Sequence, residues 1–201
     1  MPSAAPTVAT PSRRAAALPP DQRRAAIIDA VRPLLARYGE SITTKQIAGA
    51  AGIAEGTIFR VFADKDELLD AVLEAALDQN QFEAALRTID TSLPFEEQLV
   101  AATELIQRRV VDVWTLLSHL SAKRHERVRR PMTDSPALTD IFAAHADRIR
   151  VDPVVAARRL RALTMSLTHP MIAAEASTAA DIVDTVLHGI GSAHGSEPTP
   201  E

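Results

Sequence analysis

The stretch TTKQIAGAAGIAEGTIFRVFADKDELL, residues 43–69, constrains the fold more than any other part of the chain. Two short helical runs flank Ala-Gly-Ile-Ala-Glu-Gly, and a charged run with a second helix-start signal follows. Thr43 is a good N-cap for a short helix through about Ala51, with Ile47, Ala48 and Ala51 facing inward. Gly52 supplies the turn, and a third helix is expected from about Glu55 to Phe62. Asp64, with Glu67 three residues later, reads as a capping box that opens a fourth.

Two such helices joined through a glycine turn form a helix-turn-helix, whose second helix presents its N-terminal residues to the DNA major groove. Small residues at Ala48, Ala51 and Gly52 let the helices cross closely. Ala54, Gly56 and Thr57 are short where the second helix would approach the bases. An ordinary helical corner would share this spacing.

The rest of the chain extends the helical pattern. Ala, Leu, Val and Ile dominate a 46% hydrophobic content, while aromatics make up 3% and glycines number only 7. That balance favours helices over sheets, so an all-α chain of about nine helices is expected. Ile27, Val31, Leu34, Leu35 and Tyr38 mark one face of a first helix from about Asp21, with Pro33 as a kink or break and Gly39 as the stop. Leu68, Leu69, Val72, Leu73, Ala76 and Leu77 mark the fourth helix. Longer helices are predicted over about 95–119, 137–150, 153–173 and 178–190. The charged segment SAKRHERVRRPMTDSP between them reads as a loop.

Charge is unevenly spread. The net charge is −4, yet residues 1–65 carry nine Lys and Arg against five Asp and Glu. A basic N-terminal part on an acidic chain suits a polyanionic partner at that end. Lys123, Arg124, Arg127, Arg129 and Arg130 lie far from the helix-turn-helix and read as a solvated loop. With no cysteine there is neither a disulfide framework nor a thiolate metal site. The six histidines read as surface or satisfied residues, and neither a metal nor a cofactor is expected. No nucleophile elbow or phosphate-cradling glycine loop is present, so an enzyme is not expected. No apolar run spans a bilayer, the N-terminal segment lacks a signal-peptide pattern, and a cytoplasmic location is expected.

The segment from Thr43 to Leu73 resembles the DNA-binding signature of the TetR family of transcriptional repressors. The resemblance rests on the amphipathic first helix, Thr43, Ile47-Ala48, Ala51-Gly52-Ile53, Gly56-Thr57, Phe62, Lys65 and Leu68. It covers about the first quarter of the chain. With it, the chain is expected to divide into a DNA-binding domain of three helices over 21–65 and a helical ligand-binding and dimerisation domain over 66–190. Composition predicts disordered tails over 1–20, rich in Pro, Ala, Ser and Thr, and over 191–201.

Roles follow from the resemblance position by position. Thr44 and Lys45 would meet phosphates at the start of the second helix, and Glu55 would occupy the main base-reading position, where a carboxylate can accept from a cytosine amino group. Thr57 would bond a phosphate and Lys65 would meet the backbone as a point charge. The chain departs from the family at Phe59, where Tyr is usual, and at Val61, where His or Tyr is usual. Arg60, between them, is the candidate to take over the phosphate work or to reach a guanine. Arg13 and Arg14 offer a basic arm in the tail.

The resemblance also implies a pocket among the middle helices, with Leu99, Thr103, Ile106, Val110, Trp114, Leu117, Phe142 and Leu163 as candidate lining. Few of these are polar, so a mainly apolar effector is expected. A helix-turn-helix reads one half-site, so a homodimer on a palindromic double-stranded operator is expected. Its interface would use the last two helices through Val155, Leu160, Leu167, Met171, Ile182, Val186, Leu187 and Ile190, unless those faces form the chain's own core. The leading expectation is therefore a ligand-responsive repressor. The alternative is an activator or interaction module without effector gating.

Overall fold

A computed structural model describes residues 19–128, 133–175 and 177–189. The described residues are all-helical, with ten α-helices, two 3₁₀ turns and no strand. In order they are α1 (Pro20–Tyr38), α2 (Thr44–Ala51), α3 (Glu55–Ile58), α4 (Lys65–Ala76), α5 (Gln79–Leu86), α6 (Phe95–Leu117), α7 (Ala122–Val128), α8 (Pro136–Ala143), α9 (Pro153–Thr168) and α10 (Ala179–His188). The 3₁₀ turns are Gly39–Ser41 and Ala146–Arg148. No helix is long and apolar enough to cross a membrane among these residues. The tails, Arg13, Arg14, Arg129, Arg130, Ile190 and His194 lie outside the described residues.

Two hydrophobic cores organise the chain. The first gathers Ile27, Val31 and Leu35 of α1, Ile47 of α2, Ile58 and Phe62 around α3, and Leu68, Leu69, Val72 and Leu73 of α4. Leu116, near the end of α6, closes it from the other half of the chain. The second gathers Phe82 and Leu86 of α5, Leu99, Ala102 and Ile106 of α6, Leu138 and Phe142 of α8, Ala156 and Leu160 of α9, and Ile182 and Val183 of α10. Burying these side chains is the main favourable term in folding, each fully buried Leu or Phe contributing about 1.5–3 kcal/mol.

Helix ends follow local chemistry, with several corrections to the sequence reading. The first helix runs through Pro33 unbroken. Helix α3 stops at Ile58 rather than Phe62, and the chain continues in tight turns, with Val61 and Phe62 N–H groups both donating to the Ile58 carbonyl. Helix α9 ends at Thr168, short of Ala173, because Pro170 disfavours helical backbone at His169, which is extended at φ −67, ψ 121. The helix expected over 137–150 divides into α8 and the 3₁₀ turn at Ala146. The Asp64 cap bonds Glu67 N–H as expected, but Glu67 reaches back to Ala63 N–H at 2.6 Å rather than to Asp64.

The basic run is the largest correction. It contains α7, and Arg124 is buried against Asp66 and Asp70 of α4 and Glu40 of the first 3₁₀ turn. Three carboxylates from distant sequence draw one arginine inward, which local charge density does not reveal.

Candidate functional site

Helix α2 is fixed at both ends by its own sequence. Thr43 accepts from Gln46 N–H at 3.2 Å while the Gln46 amide oxygen accepts from Thr43 N–H at 2.8 Å, satisfying two otherwise orphaned donors. At the other end Gly52 adopts the left-handed conformation, φ 64, and Ile53 N–H closes on the Ala48 carbonyl at 3.0 Å. These closures set the angle at which α3 leaves α2. Ile58 and Phe62 then anchor α3 into the first core, which turns the opposite face outward.

That outward face carries Lys45, Ala54, Glu55, Gly56, Phe59 and Arg60, all exposed, with Thr44 and Thr57 half-buried beside them. Nothing lies within 4 Å of where a Cβ on Gly56 would sit, so the absence of a side chain there leaves the helix start open to an approaching surface. Thr44 Oγ1 donates to Glu55 Oε2 at 3.0 Å, tying the start of α2 to the start of α3. Phe59 is 48% exposed, an apolar ring on the outward face.

Lys65 stands differently from the sequence expectation. Its ammonium donates to the Glu40 carbonyl at 2.6 Å and so satisfies the 3₁₀ turn that follows α1. A residue that sequence reasoning missed is Arg24 on α1. Its guanidinium lies 4.3 Å over the Phe62 ring and donates to the Val61 carbonyl at 3.2 Å and to Glu67 at 3.1 Å. Arg24 therefore positions the α3–α4 connection. Bonding from Ala63 N–H and then from Arg24 holds the Glu67 carboxyl below the usual carboxylate range.

A cavity of about 770 Å³ opens between α4, α5, α6 and α9. Of the expected lining residues, Ile106, Val110, Trp114 and Leu117 border it. Leu99, Thr103 and Phe142 do not, because they are fully buried in the closed part of the second core, and Leu163 packs against that core instead. Residues the sequence did not suggest include Glu74 and Leu77 at the end of α4, Arg109, Arg161, Met165 and His169. The Trp114 and His169 rings meet at a tilt of 59°, with centroids 4.5 Å apart.

The residues expected at a dimer interface divide as well. Leu160 and Ile182 are completely buried in the second core and face inward, as helix-packing residues of one chain. Val155, Leu167, Val186 and Leu187 are half-buried, and Met171 is 73% exposed. Among the described residues no group of His, Asp or Glu is placed to hold a metal ion.

The family model described as bacterial regulatory proteins, tetR family, matches residues 27–72, which comprise most of α1 and all of α2 and α3 with most of α4. Residues 27–72 thus match the N-terminal region of the TetR family of transcriptional regulators. Members of this family are regulators rather than enzymes. The HTH-type transcriptional regulator HbdR of Aromatoleum sp. (strain CIB) is 30% identical over 109 residues, which make up 54% of this chain and 43% of HbdR. The match thus spans less than half the length of that relative.

Solved structures extend the likeness over most of the fold. A putative TetR-family regulator from Mesorhizobium loti superposes with a TM-score of 0.56 at 16% identity, over 86% of this chain and 95% of that one. The TetR-like regulator LfrR from Mycobacterium smegmatis, solved with proflavine, gives 0.50 at 21% identity, over 86% and 98%. At these identities the likeness is one of fold.

Proposed function

We propose that this chain is a TetR-family regulator that binds a palindromic operator as a homodimer, acts as a repressor, and is released by an effector held in the cavity between α4, α5, α6 and α9. Thr44, Lys45, Glu55, Thr57, Phe59 and Arg60 would face the DNA, with Ala54 and Gly56 allowing close approach. Lys65 would support the interface through the 3₁₀ turn it holds, and could still meet a phosphate at its edge. Val155, Leu167, Met171, Val186 and Leu187 are the candidate contacts between copies.

The observation that carries the gating reading is that the cavity wall includes residues of the first core's own helices. Glu74 and Leu77 extend from α4, whose earlier turns pack Leu68, Leu69 and Leu73 against α1. Leu117 borders the cavity while also packing on the first core. An effector that prefers one arrangement of α4 and α6 therefore acts on the support of α2 and α3, and differential affinity for two arrangements is what coupling between sites requires. The LfrR structure with proflavine supports the idea that a fold of this kind accommodates an organic molecule.

The test is binding of the purified protein to its own upstream DNA by anisotropy and footprinting over a salt series. Protection of two half-sites about one helical turn apart, roughly 34–36 Å, supports the dimeric operator reading. Protection that no cavity ligand relieves supports an ungated DNA-binding protein instead. No specific protection at modest salt removes the operator reading.

A further inference from the structure

The cavity has a wholly different character on one wall. Trp114, Val110, Leu117 and Met165 give it an apolar lining, but Arg109 of α6 and Arg161 of α9 also border it. Arg109 lies 5.0 Å over the Phe82 ring and donates to the Leu77 and Asp78 carbonyls at 3.0 and 3.2 Å. Arg161 donates to the Thr133 carbonyl. A guanidinium has five N–H donors, so each retains several beyond these bonds.

The nearby carboxylates are engaged elsewhere. Asp78 accepts from Asn80 N–H at 2.9 Å as the cap of α5. Glu83 is buried, accepts from Ala137 N–H and the Gln79 amide at 2.8 Å each, and lies 3.9 Å from Arg87. Asp134 receives two bonds from Arg158. Among the described residues, neither Arg109 nor Arg161 is in an ion pair. Asp78 and Glu74 also border the cavity; Glu74 is solvent-exposed, where water screens its charge.

Half-buried cations with no carboxylate in direct contact are costly unless something further neutralises them. Burial, and next the nearness of Arg161, hold the Arg109 guanidinium below the usual arginine range, against the pull of Asp78 and Glu83. Burial does the same to Arg161, against the pull of Glu83 and Asp134. On α1, the buried Arg32 Nε has no hydrogen-bond partner, and its charge adds to the positive field at Arg109.

We propose that the cavity selects an amphipathic organic acid, its anionic headgroup taken by Arg109 and Arg161 and its apolar body lying along Trp114, His169 and Val110. This rests on the effector reading of the cavity. It replaces a generally apolar effector with one defined by an acid group, since planar guanidinium forks match carboxylate geometry.

Trp114 is the chain's one tryptophan, so its fluorescence reports cavity occupancy with no DNA present. Three probes share a ten-carbon chain and differ at the head: decanoate, decan-1-ol and decylamine. Decanoate is expected to perturb Trp114 saturably and bind about tenfold or more tightly than decan-1-ol, with decylamine weakest. In Arg161→Gln the decanoate-to-decanol ratio should fall towards one. That variant's thermal midpoint checks its fold, since Arg161 makes a single protein hydrogen bond among the described residues.

Equal affinity for decanoate and decan-1-ol, tightest binding of decylamine, or no saturable response to any probe would each overturn the proposal. The DNA reading is decided separately by anisotropy on upstream DNA. Selective decanoate binding that leaves a measurable DNA complex intact keeps the headgroup selection and removes only the gating.

Discussion

The Glu40 carboxylate accepts two hydrogen bonds from Ser121, from its backbone N–H at 2.8 Å and its hydroxyl at 3.0 Å, across 81 residues of chain. Arg124 Nε stands 3.3 Å from the same carboxylate oxygen, and the Arg124 guanidinium goes on to Asp66 and Asp70. A 3₁₀ turn, the face of α4 and the start of α7 are thereby clasped by one buried cation. Burial opposes the Arg124 charge most, but Asp70, Glu40 and Asp66 together raise its pKa above the usual arginine value.

Replacing Arg124 by Leu should destabilise the chain by about 1–3 kcal/mol, below the cost for a fully buried pair because its partners retain solvent contact. Urea denaturation measures this. A cycle with Glu40→Gln should show non-additive losses, since both side chains belong to one network. Additive losses would mean the contacts act independently.

Acid should weaken the same clasp. Bonding from Ser121 N–H first, and the Ser121 hydroxyl and Arg124 after it, outweighs burial and holds the Glu40 carboxyl below the usual range. A depressed folded pKa contributes stability above the unfolded value, about 4.3 for Glu, and that stability is lost as pH falls through the lower folded value. Melting temperatures from pH 7 down to 3 should therefore drop more steeply below about pH 4.3 in wild type than in Glu40→Gln. Parallel curves would place the acid sensitivity elsewhere.

Gly39 admits no side chain. Its backbone sits at φ 59, ψ −150, and a Cβ there would lie 2.8 Å from the His119 carbonyl oxygen. Gly39→Ala combines a conformation reserved for glycine with a clash against backbone, so a loss of about 1–3 kcal/mol or more is expected in thermal denaturation. Gly49→Ala serves as the control. Nothing lies within 4 Å of a Cβ there and it sits inside α2, so it should be neutral or slightly stabilising.

On DNA, Arg60→Ala and Lys65→Met should part company. Arg60 is exposed with no side-chain hydrogen bond among the described residues, so its loss should leave the melting temperature unchanged. If it contacts phosphate, affinity falls for all sequences and the salt slope drops by about one. Lys65→Met removes the bond to the Glu40 carbonyl and should cost about 1–2 kcal/mol of stability as well as affinity. An Arg60→Ala protein with wild-type affinity and slope would remove Arg60 from the interface.

What the sequence made legible was chemistry that acts within a few residues. The Thr43 cap, the Gly52 turn and the Asp64 cap are local, and the helix starts they set could be read from those residues. The stop at His169 was equally local, written in Pro170, and a longer apolar pattern obscured it. Arg124 was not legible, because Asp66 and Asp70 lie 58 and 54 residues away. Helix α6 shows the intermediate case. Its apolar stripe was readable from Leu99 to Leu117, but periodicity identifies a face and not where along it the packing opens. The first turns close into the core, and from Ile106 onwards the same face meets the cavity. Helices α5 and α7, each of eight residues or fewer, lacked enough turns to declare a period.

Helix α6 also joins the fates of the two halves. It gives Leu99, Ala102 and Ile106 to one core and Leu116 to the other, within a single run of 23 residues. A continuous helix of about 34 Å packed into a core at each end carries the loss of one core into the support of the other. The chain should thus unfold in one cooperative transition rather than core by core. Anything that tightens the second core should then slow amide exchange in α1, on residues it never touches.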